Sequence, residues 1–314
     1  MQIAACRLQL AECGVPAEGR KSAVCKPQSA IPGGVRASAV VLSYNKREYT
    51  RRCLQSVAAT DFGGLEIIVI DQGSADGTRE WLQVFAAECA GRGLPVRLIL
   101  NERNVGACTG RNQGIAAASG RFLAFLDNDV VVADRSWLSR LTTRLEAQAD
   151  AGIVTAKLVY PDPPHRIQFA GCAVSPGGRI LYLGRGEARD DPRFNEEREL
   201  QCAISACIVV KREVIERVGG FDEAFNPVQY EDLDLCYRAR AAGYRVRYFP
   251  GVEALHYENV TTDGSPDLNF RYLTIKHGLL FKERWRHMFA HEGGPDDREA
   301  HWKTIDRPRL PPDG

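Results

Sequence analysis

The sequence predicts an α/β fold built on a doubly wound sheet with helices on both of its faces. Between residues 38 and 129, four short apolar runs alternate with helical patterns, as right-handed β–α–β crossovers require. The run at 123–126 has no polar break, which is typical of a strand buried on both faces. Beyond residue 160 the runs become shorter and Gly and Pro more frequent, which indicates a mixed or antiparallel second half.

In the first half, each predicted strand but the last is followed by a helix. The strands are predicted at 39–42, 67–70, 96–100 and 123–126. The helical patterns carry Leu54 and Val57 on one face, pass through Trp81 and Phe85, and run from 107 to 118. Ligands of open α/β sheets bind beyond the carboxyl ends of the strands, so the polar loops found there are the first candidates for a site.

The second half predicts a hairpin near 172–183 and a buried strand at 202–211. The strongly polar segment between them, 185–200, is expected to be a mobile surface loop or lid. A helix opens near Tyr230 and runs to Gly243, and a strand follows it.

Both ends of the chain lack a regular pattern. Residues 1–36 indicate a poorly ordered extension, and the polar, Pro-rich tail from Gly293 onward is expected to be disordered. Residues 270–289 mix aromatic and basic side chains. Either this segment is a helix packed on the sheet with solvated basic residues, which we favour, or it is an amphipathic helix that contacts anionic lipid.

Charge and composition exclude several classes of protein. The 314 residues are 44% hydrophobic and 26% charged with a formal net charge of +1, which argues against nucleic acid as a principal partner. No apolar run approaches the roughly 18 residues that span a bilayer. The first residues lack the basic start of a secretory signal, and the cysteines include no CxxC pair. We therefore expect a cytoplasmic protein.

Two carboxylates, Asp127 and Asp129, follow the fourth predicted strand with one residue between them. Buried unpaired carboxylates are costly, and the simplest partner for two of them is a divalent cation such as Mg²⁺ or Mn²⁺. Magnesium held by one or two carboxylates normally shares its coordination with substrate phosphates, which indicates a nucleotide-linked donor. An Asx-turn or a helix cap explains the same two residues without a ligand.

Other acidic residues can likewise be explained either by a role in binding or catalysis or by local structure alone. Asp71 directly follows the second predicted strand, where it can bind a base or a ribose, although an Asx-turn explains it equally well. Glu231, Asp232 and Asp234 open a helix, where the helix dipole stabilises carboxylates that have no catalytic role. The sequence contains no P-loop motif and no strand-borne dinucleotide fingerprint, which disfavours both of those folds.

Over about residues 37–260, a series of motifs in one order resembles the family 2 nucleotide-sugar glycosyltransferases, in particular a rhamnosyltransferase-like, cell-surface-polysaccharide branch. The matching pieces are VLSYN at 41–45, VIDQGSADGT at 69–78, NVG at 104–106 with RNQG at 111–114, DND at 127–129, SAC at 205–207, YEDLDLCYR at 230–238, AGY at 242–244, and His256. Gln72 departs from the Asn or Asp that is usual at its place.

The resemblance implies a GT-A-type fold, a Rossmann-like doubly wound mixed sheet, in one domain over residues 37–290. Its nucleotide-sugar half would span 37–130, its acceptor and catalytic half 131–260, and a C-terminal helical segment 261–290, before a polar tail at 291–314.

The same resemblance implies roles for individual residues. The donor nucleotide would be bound by Ser43, Tyr44, Asn45, Asp71, Asn104, Arg111 and Asp127. Asp71 would contact the nucleobase, and Asp127 the ribose or the metal. The divalent metal, Mg²⁺ or Mn²⁺, would be held by Asp127, Asp129 and His256. Asp232 would be the catalytic base, and Glu231 would hold the acceptor or orient its neighbour.

The activity implied is inverting, metal-dependent transfer of a sugar from a UDP- or dTDP-linked donor to a glycan or lipid-linked acceptor, at the inner face of the membrane or in the cytoplasm. Two alternatives stay open. A nucleotidyltransferase on a similar sheet would need a basic, Gly-rich phosphate loop after the first strand, which the sequence lacks. A non-catalytic module that binds sugar nucleotides or glycans would bind the donor without transfer.

Overall fold

The computed structural model describes residues 34–258, 260 and 269–307. The predicted N-terminal extension lies outside these residues except for 34–36, which lead into the first strand. The backbone N–H of Arg36 donates to the carbonyl oxygen of Gly64 at 2.8 Å. Every cysteine within the described ranges is buried and free, and so acts as a small apolar side chain.

Four strands and three helices alternate in the first half. Their bounds are β1 (Ala37–Ser43), α1 (Arg47–Ala58), β2 (Leu65–Asp71), α2 (Thr78–Gly91), β3 (Val96–Leu100), α3 (Ala107–Ala117) and β4 (Phe122–Asp127). The strands are parallel and lie in the order β3-β2-β1-β4. The predicted parallel sheet with crossover helices is confirmed.

The second half extends the same sheet with strands of both directions. Its elements are β5 (Val130–Val132), α4 (Trp137–Ala147), β6 (Ala151–Val159), β7 (Ile167–Phe169), β8 (Cys172–Val174), β9 (Ile180–Tyr182), β10 (Arg198–Leu200), β11 (Cys207–Lys211), α5 (Arg212–Val218), α6 (Glu231–Ala241), β12 (Arg245–His256) and α7 (Phe270–Phe289). The order continues from β4 through β11, β6 and β12 to β10, while β8 and β9 form the predicted hairpin. The predicted mixed sheet is confirmed.

The strand register brings the predicted polar loops to one edge. Ser43 pairs with Asp71 at the ends of β1 and β2, and Leu42 pairs with Asp127 at the end of β4. On the other side of β4, Cys207 pairs with Leu126, so residues 205 and 206 reach the same edge from the antiparallel strand β11. The loops after three parallel strands and before one antiparallel strand therefore meet there.

Helix α3 lies unusually close to the sheet because two of its glycines face β1. A Cβ atom on Gly110 would lie 2.5 Å from Leu42 Cδ1, and a Cβ atom on Gly114 would lie 2.4 Å from Val40 Cγ1. Both distances are too short for any larger residue without repacking. The close approach lets Arg111, on the same helix, reach the carboxylate of Asp127.

Helix α7 packs on α6 through an aromatic cluster. The ring of Tyr237 lies 5.2 Å from that of Phe281 and 5.7 Å from that of Trp285, between centroids. Another face of α7 carries the exposed apolar residues Tyr272, Ile275 and Leu279. Throughout residues 34–258, 260 and 269–307, each helix is too short or too polar to span a lipid bilayer.

Two segments differ from expectation. The segment 185–200 is fixed to the sheet: β10 pairs with β12, and the buried Lys157 donates from Nζ to the carbonyl of Arg189 (3.1 Å). The expected disorder from Gly293 is wrong for the described residues 293–307. Asp297 accepts a hydrogen bond from the backbone N–H of Gly177 (2.9 Å), a contact between residues too distant in sequence for local composition to reveal.

Candidate active site

A cleft of about 1430 Å³ opens at the sheet edge where the loops meet. On one side it is lined by the loops that follow β1, β2 and β3, and on the other by the start of α6, part of α7 and residues 300–302. Asp127 and Asp129 lie on its floor. The cleft is larger than the roughly 300–1,000 Å³ of a typical small-ligand pocket, so it has room for more than one small ligand.

Asp127, Asp129 and His256 form the group that can hold a metal ion. One ligand atom from each lies within 4.8 Å of the others. Donor atoms about 2.1 Å from a common ion are roughly 3–4 Å apart, so the group fits one cation. Two carboxylates with one imidazole suit Mn²⁺ or Mg²⁺ better than a soft, thiolate-bound ion. His256 reaches this group because the end of β12 pairs antiparallel with β5, the strand that begins directly after Asp129.

Gln168 fixes the orientation of the His256 ring. Its Oε1 lies 2.8 Å from Nδ1 of the imidazole, which directs Nε2 toward Asp129 Oδ1 at 3.3 Å. Burial disfavours the charged imidazolium, but the nearby carboxylates of Asp129, Asp127 and Glu258 together outweigh burial and raise the pKa of His256. A buried partner that fixes the ring is the arrangement expected behind a metal-ligating histidine.

Arg111 joins the two sides of the cleft. Its guanidinium donates to Glu231 Oε1 and to Asp127 Oδ1, both at 2.9 Å, and its side chain is only 7% exposed. Burial lowers the pKa of Arg111 and the two carboxylates raise it more strongly, so the side chain is a buried permanent cation. The resemblance placed Arg111 on the donor side; the structure ties it to both the candidate metal group and the start of α6.

The start of α6 holds Glu231 and Asp232 in a strained turn. Gln229 and Tyr230, which precede the helix, both have positive φ angles (87° and 71°), which are rare outside glycine and are often found at functional sites. Glu231 is buried, and its Oε2 atom has no hydrogen-bond partner in the part of the chain that the structure describes. The turn places both carboxylates against the cleft.

Asp232, beside Glu231, is held in place by two backbone N–H groups. Its Oδ2 accepts a hydrogen bond from the backbone N–H of Ser205 (3.0 Å), and its Oδ1 accepts from that of Leu233 (2.8 Å). Burial and the neighbouring charge of Glu231 raise the pKa of Asp232 to about 7. A carboxyl group with that pKa exchanges protons near neutral pH, where general bases work best.

The expected donor residues divide into two groups. Tyr44 and Asn104 line the cleft. Ser43 and Asn45 instead hold the loops together: Ser43 Oγ lies 3.1 Å from Thr50 Oγ1, and Asn45 Oδ1 accepts from the backbone N–H of Ala75 (2.9 Å). These two residues shape the pocket from behind its surface.

Asp71 is fully buried, and the residues that follow it line the cleft. Its Oδ1 accepts from the backbone N–H groups of Gly73 (3.2 Å) and Ser74 (3.0 Å), which is the Asx-turn that the sequence allowed. Its Oδ2 is buried without a hydrogen-bond partner among the described residues. One oxygen therefore shapes the loop, and the other can accept a further donor.

Some cleft residues were not predicted from the sequence. Gln72, in the loop after β2, is bonded to both ends of the loop between β3 and α3: its Nε2 donates to the carbonyl of Gly106 (2.9 Å), and its Oε1 accepts from Asn101 Nδ2 (3.1 Å). Its departure from the family pattern was the available signal. The sequence signals for Gln168 and Trp302 as cleft residues were weaker. Gln168 is an isolated amide in a strand, and Trp302 is a tryptophan in a polar tail.

Asp234, the third acid of α6, is structural. Its Oδ2 accepts from Arg238 Nε (2.7 Å) and its Oδ1 from Trp285 Nε1 (2.9 Å), so it fixes α7 to α6. The pairing of Arg238 with one of the three acids follows the i, i+4 spacing. These contacts separate Asp234 from its two neighbours, which face the cleft.

Known proteins share this fold and sequence pattern. The O-antigen biosynthesis protein RfbC of Myxococcus xanthus is 32% identical over 166 residues, which cover 51% of this chain and 13% of that protein. The mannosyltransferase PcManGT of Pyrobaculum calidifontis, in complex with GDP-Man and Mn²⁺, has a TM-score of 0.56 at 19% identity and is matched over 86% of this chain and 69% of its own. GalNAc-T7 with UDP, GalNAc and Mn²⁺ has a TM-score of 0.59 at 18% identity, over 72% and 44% of the two chains.

These comparisons agree on the GT-A fold. The chain spans only 13% to 38% of the length of three curated relatives that it matches. The model of the family described as Glycosyl transferase family 2 matches residues 38–219, more than half of the chain. The chain therefore belongs to the family 2 glycosyl transferases.

Proposed function

We propose that the protein is an inverting, metal-dependent glycosyltransferase that moves a sugar from a UDP- or dTDP-linked donor to an acceptor hydroxyl, in the synthesis of a cell-surface polysaccharide or glycolipid. One observation carries the proposal: the cleft contains a carboxylate, Asp232, that lies outside the Asp127–Asp129–His256 group and has a pKa of about 7. A base that is not committed to a metal is what direct displacement requires.

The reaction then follows from Asp232 as the base and from the Asp127–Asp129–His256 group as the metal ligands. The acceptor hydroxyl gives its proton to Asp232 as its oxygen bonds to the anomeric carbon, while the bond from that carbon to the diphosphate oxygen breaks. One displacement from the face opposite the leaving group inverts the anomeric centre. Glu231, held by Arg111, keeps the pKa of Asp232 high through its own negative charge.

The metal would be held by Asp127, Asp129 and His256. When bound, it neutralises the negative charge that develops on the departing diphosphate. Arg111 has a complementary role that needs no metal: it neutralises Asp127 and Glu231, so that four carboxylates can face one cleft. Without this cation, the mutual repulsion of the carboxylates would oppose the binding of a diphosphate.

On the donor side, we assign the nucleobase to the part of the cleft that Tyr44 and Asn104 line, with Asp71 behind it. Asp71 is fully buried, but Gln72 and Gly73, which follow it, line the cleft, so a small shift of this loop would let its unpartnered Oδ2 accept a base N–H. A buried acceptor without a partner is costly, so a ligand that donates to it gains affinity. GDP-Man and UDP accompany Mn²⁺ in the two similar structures, which supports testing several nucleotides.

The test is thermal stabilisation by UDP, dTDP, GDP and CDP, each with and without Mn²⁺ or Mg²⁺. A ligand at about 100-fold above its Kd adds about 2.7 kcal/mol to the free energy of unfolding. We expect a metal-dependent rise in Tm with UDP or dTDP that Asp129→Asn abolishes and the exposed-site control Asp61→Asn preserves. No metal-dependent rise with any of the four nucleotides would refute the donor site.

The configuration of the product tests the mechanism. Proton NMR of the newly formed glycoside should show the anomeric configuration opposite to that of the donor. Retention of the configuration would exclude single displacement with Asp232 as the base. Binding of nucleotide without any transfer to an acceptor would favour the non-catalytic alternative.

We also propose that the protein contacts an anionic membrane surface from the cytoplasm and takes a lipid-linked acceptor there. Tyr272, Ile275 and Leu279 follow helical spacing on α7 and are 60%, 56% and 64% exposed. Ile275 and Leu279 also line the cleft, so the apolar face leads into the site. Arg271 and Lys276 are exposed on the same helix and can bind anionic headgroups.

Sedimentation with vesicles tests the membrane contact. We expect binding to vesicles of phosphatidylglycerol and phosphatidylcholine, weaker binding to phosphatidylcholine alone, and loss of binding when Tyr272, Ile275 and Leu279 are all replaced by Ser. Val84→Ser, at an exposed apolar residue of α2, is the control and should bind normally. Equal binding by the triple variant would refute this surface.

A further inference from the structure

Residues 291–307, which we call the strap, return from the end of α7 across the second half of the molecule. Glu292, near the start of the strap, accepts hydrogen bonds from Tyr237 (3.1 Å) and Arg240 (2.8 Å) on α6. Arg307 lies at the end of its described part and donates to Asp162 Oδ1 (2.6 Å) and to the carbonyl of Tyr257 (2.8 Å). The strap is thus fixed at both ends, and its residues 300–302 line the cleft.

Trp302 is the large apolar side chain that the strap presents to the cleft. It is 55% exposed, although the strap is anchored before it at Glu292 and after it at Lys303 and Arg307. Because the ends of the strap are held by ion pairs, burial of this ring is not what keeps the strap in place. This exposed tryptophan in the wall of the cleft is therefore accessible to a ligand.

The ring is held in one orientation by Arg185 and Tyr182. The guanidinium carbon of Arg185 lies 4.0 Å from the ring centroid, and the ring of Tyr182 approaches at 5.3 Å with an interplanar angle of 70°. Cation–π and edge-to-face contacts of this kind fix the plane of an aromatic ring. Trp302 is therefore a preorganised flat surface.

Arg185 is itself rigidly placed. Its side chain is 6% exposed, forms two hydrogen bonds with Glu258 (2.7 and 3.1 Å), and donates from Nε to the carbonyl of Lys303 (2.8 Å). Gln168, which orients His256, also bonds to Glu258. A continuous set of buried polar contacts thus runs from the candidate metal ligand His256 to the back of Trp302.

We propose that Trp302 is the platform on which a sugar ring of the acceptor glycan stacks, with Arg185 as its positioning residue. The proposal rests on the proposed glycosyltransferase function and adds the acceptor subsite to it. The weakly positive C–H face of a pyranose complements the negative face of an indole ring. The donor loops follow β1, β2 and β3, whereas Arg185 joins Trp302 to Glu258, which follows β12 toward the other end of the sheet. The volume of the cleft leaves room for a second substrate.

A nucleobase can also stack on tryptophan, so the experiment must separate the two ligands. The full chain, saturated with UDP and Mn²⁺, is applied to a microarray printed with bacterial surface oligosaccharides. We expect the wild type to bind a subset of these glycans, Trp302→Ala to lose at least tenfold in affinity, and Trp302→Phe, which keeps a flat ring, to lose threefold or less. Trp81→Phe, at a tryptophan of α2 outside the cleft, should bind as the wild type does.

The outcomes are distinct. If Trp302→Ala binds glycans normally, or if the wild type binds none of them while UDP and Mn²⁺ still raise its Tm, the platform is refuted and the proposed function stands. If Trp302→Ala loses the nucleotide-dependent rise in Tm instead, the ring serves the donor and the acceptor assignment is wrong. If the wild type shows no rise in Tm with any nucleotide, the proposed function itself is refuted, and the acceptor platform with it.

Discussion

The two sides of the cleft hold their polar side chains in place by different means. On the donor side, side chains accept from nearby backbone: Asp71 from Ser74 (3.0 Å) and Asn104 from Gly106 (2.9 Å), contacts that span two or three residues of sequence. On the opposite side, buried side chains pair with other side chains far along the chain, as Arg185 does with Glu258. The donor side is therefore held mainly by hydrogen bonds to backbone groups, within a turn or between neighbouring loops, and the acceptor side by long-range ion pairs.

This difference has an energetic consequence. A turn stabilised by backbone N–H groups forms with its loop, and the exchange of one residue disturbs little beyond that loop. A buried ion pair is costly to break, because the remaining partner keeps an uncompensated charge. Substitutions on the acceptor side should therefore reduce stability more than equivalent substitutions in the donor loops.

The largest predicted effect concerns Asp232, the proposed base on the acceptor side. Asp232→Asn should lower the transfer rate by about 10²–10⁴-fold because the base is lost. The metal-dependent rise in Tm with nucleotide should persist, since the donor side is separate. Steady-state assays with Glu216→Gln, an exposed residue of α5, as the control would check this prediction. Full activity in Asp232→Asn would show that another group is the base.

Arg111 is where the two sides meet, so its replacement should give the largest loss of stability. Arg111→Leu leaves Glu231 buried without its partner, and we expect a loss of about 3–5 kcal/mol in the free energy of unfolding. Arg121→Leu removes an exposed arginine, whose side chain is 68% accessible, from a surface pair with Glu146, and should cost less than about 1 kcal/mol. Urea titration of both variants measures the contrast, and equal losses would contradict the central role of Arg111.

The same contrast explains what the sequence could predict. The strands and the Asp127–Asp129 edge were predictable because local apolar patterns and parallel topology determine them. Arg111 was placed on the donor side, but its bridge to Glu231 spans 120 residues and leaves no local pattern. The strap was expected to be disordered because its composition is polar. Its order comes from partners such as Asp162, which lies 145 residues from Arg307.

A smaller effect tests the close packing of α3 in the donor half. Gly114→Ala would bring a Cβ to 2.4 Å from Val40 and should cost about 1–3 kcal/mol through overpacking. Gly91→Ala, at the end of α2, has no atom within 4 Å of the new Cβ and should be neutral or stabilising by up to about 1 kcal/mol. Thermal unfolding of the pair checks the prediction. If both variants behave alike, α3 can move away from the sheet without loss.

The pH dependence follows from Asp232, whose pKa burial and the charge of Glu231 raise to about 7. The base form is lost as pH falls, so kcat/KM should drop about tenfold for each pH unit below 7. Saturating Mn²⁺ is needed in the assay, because protonation of His256 weakens metal binding and excess metal overcomes that effect. A profile that stays flat down to pH 5.5 would contradict the assignment.

Stability should show the opposite trend in the same range. The folded protein retains the Asp232 proton up to about pH 7, whereas an unfolded aspartate releases it near 3.9, so the folded state binds more protons between those values. The contribution of this residue to the free energy of unfolding should therefore be fully present below about pH 4 and decline as pH rises to about 7. Asp232→Asn should lack this decline, and denaturant titrations at several pH values can compare the two proteins. The wild type would then become more active over the range in which Asp232 makes it less stable, because one proton favours the fold and blocks the base.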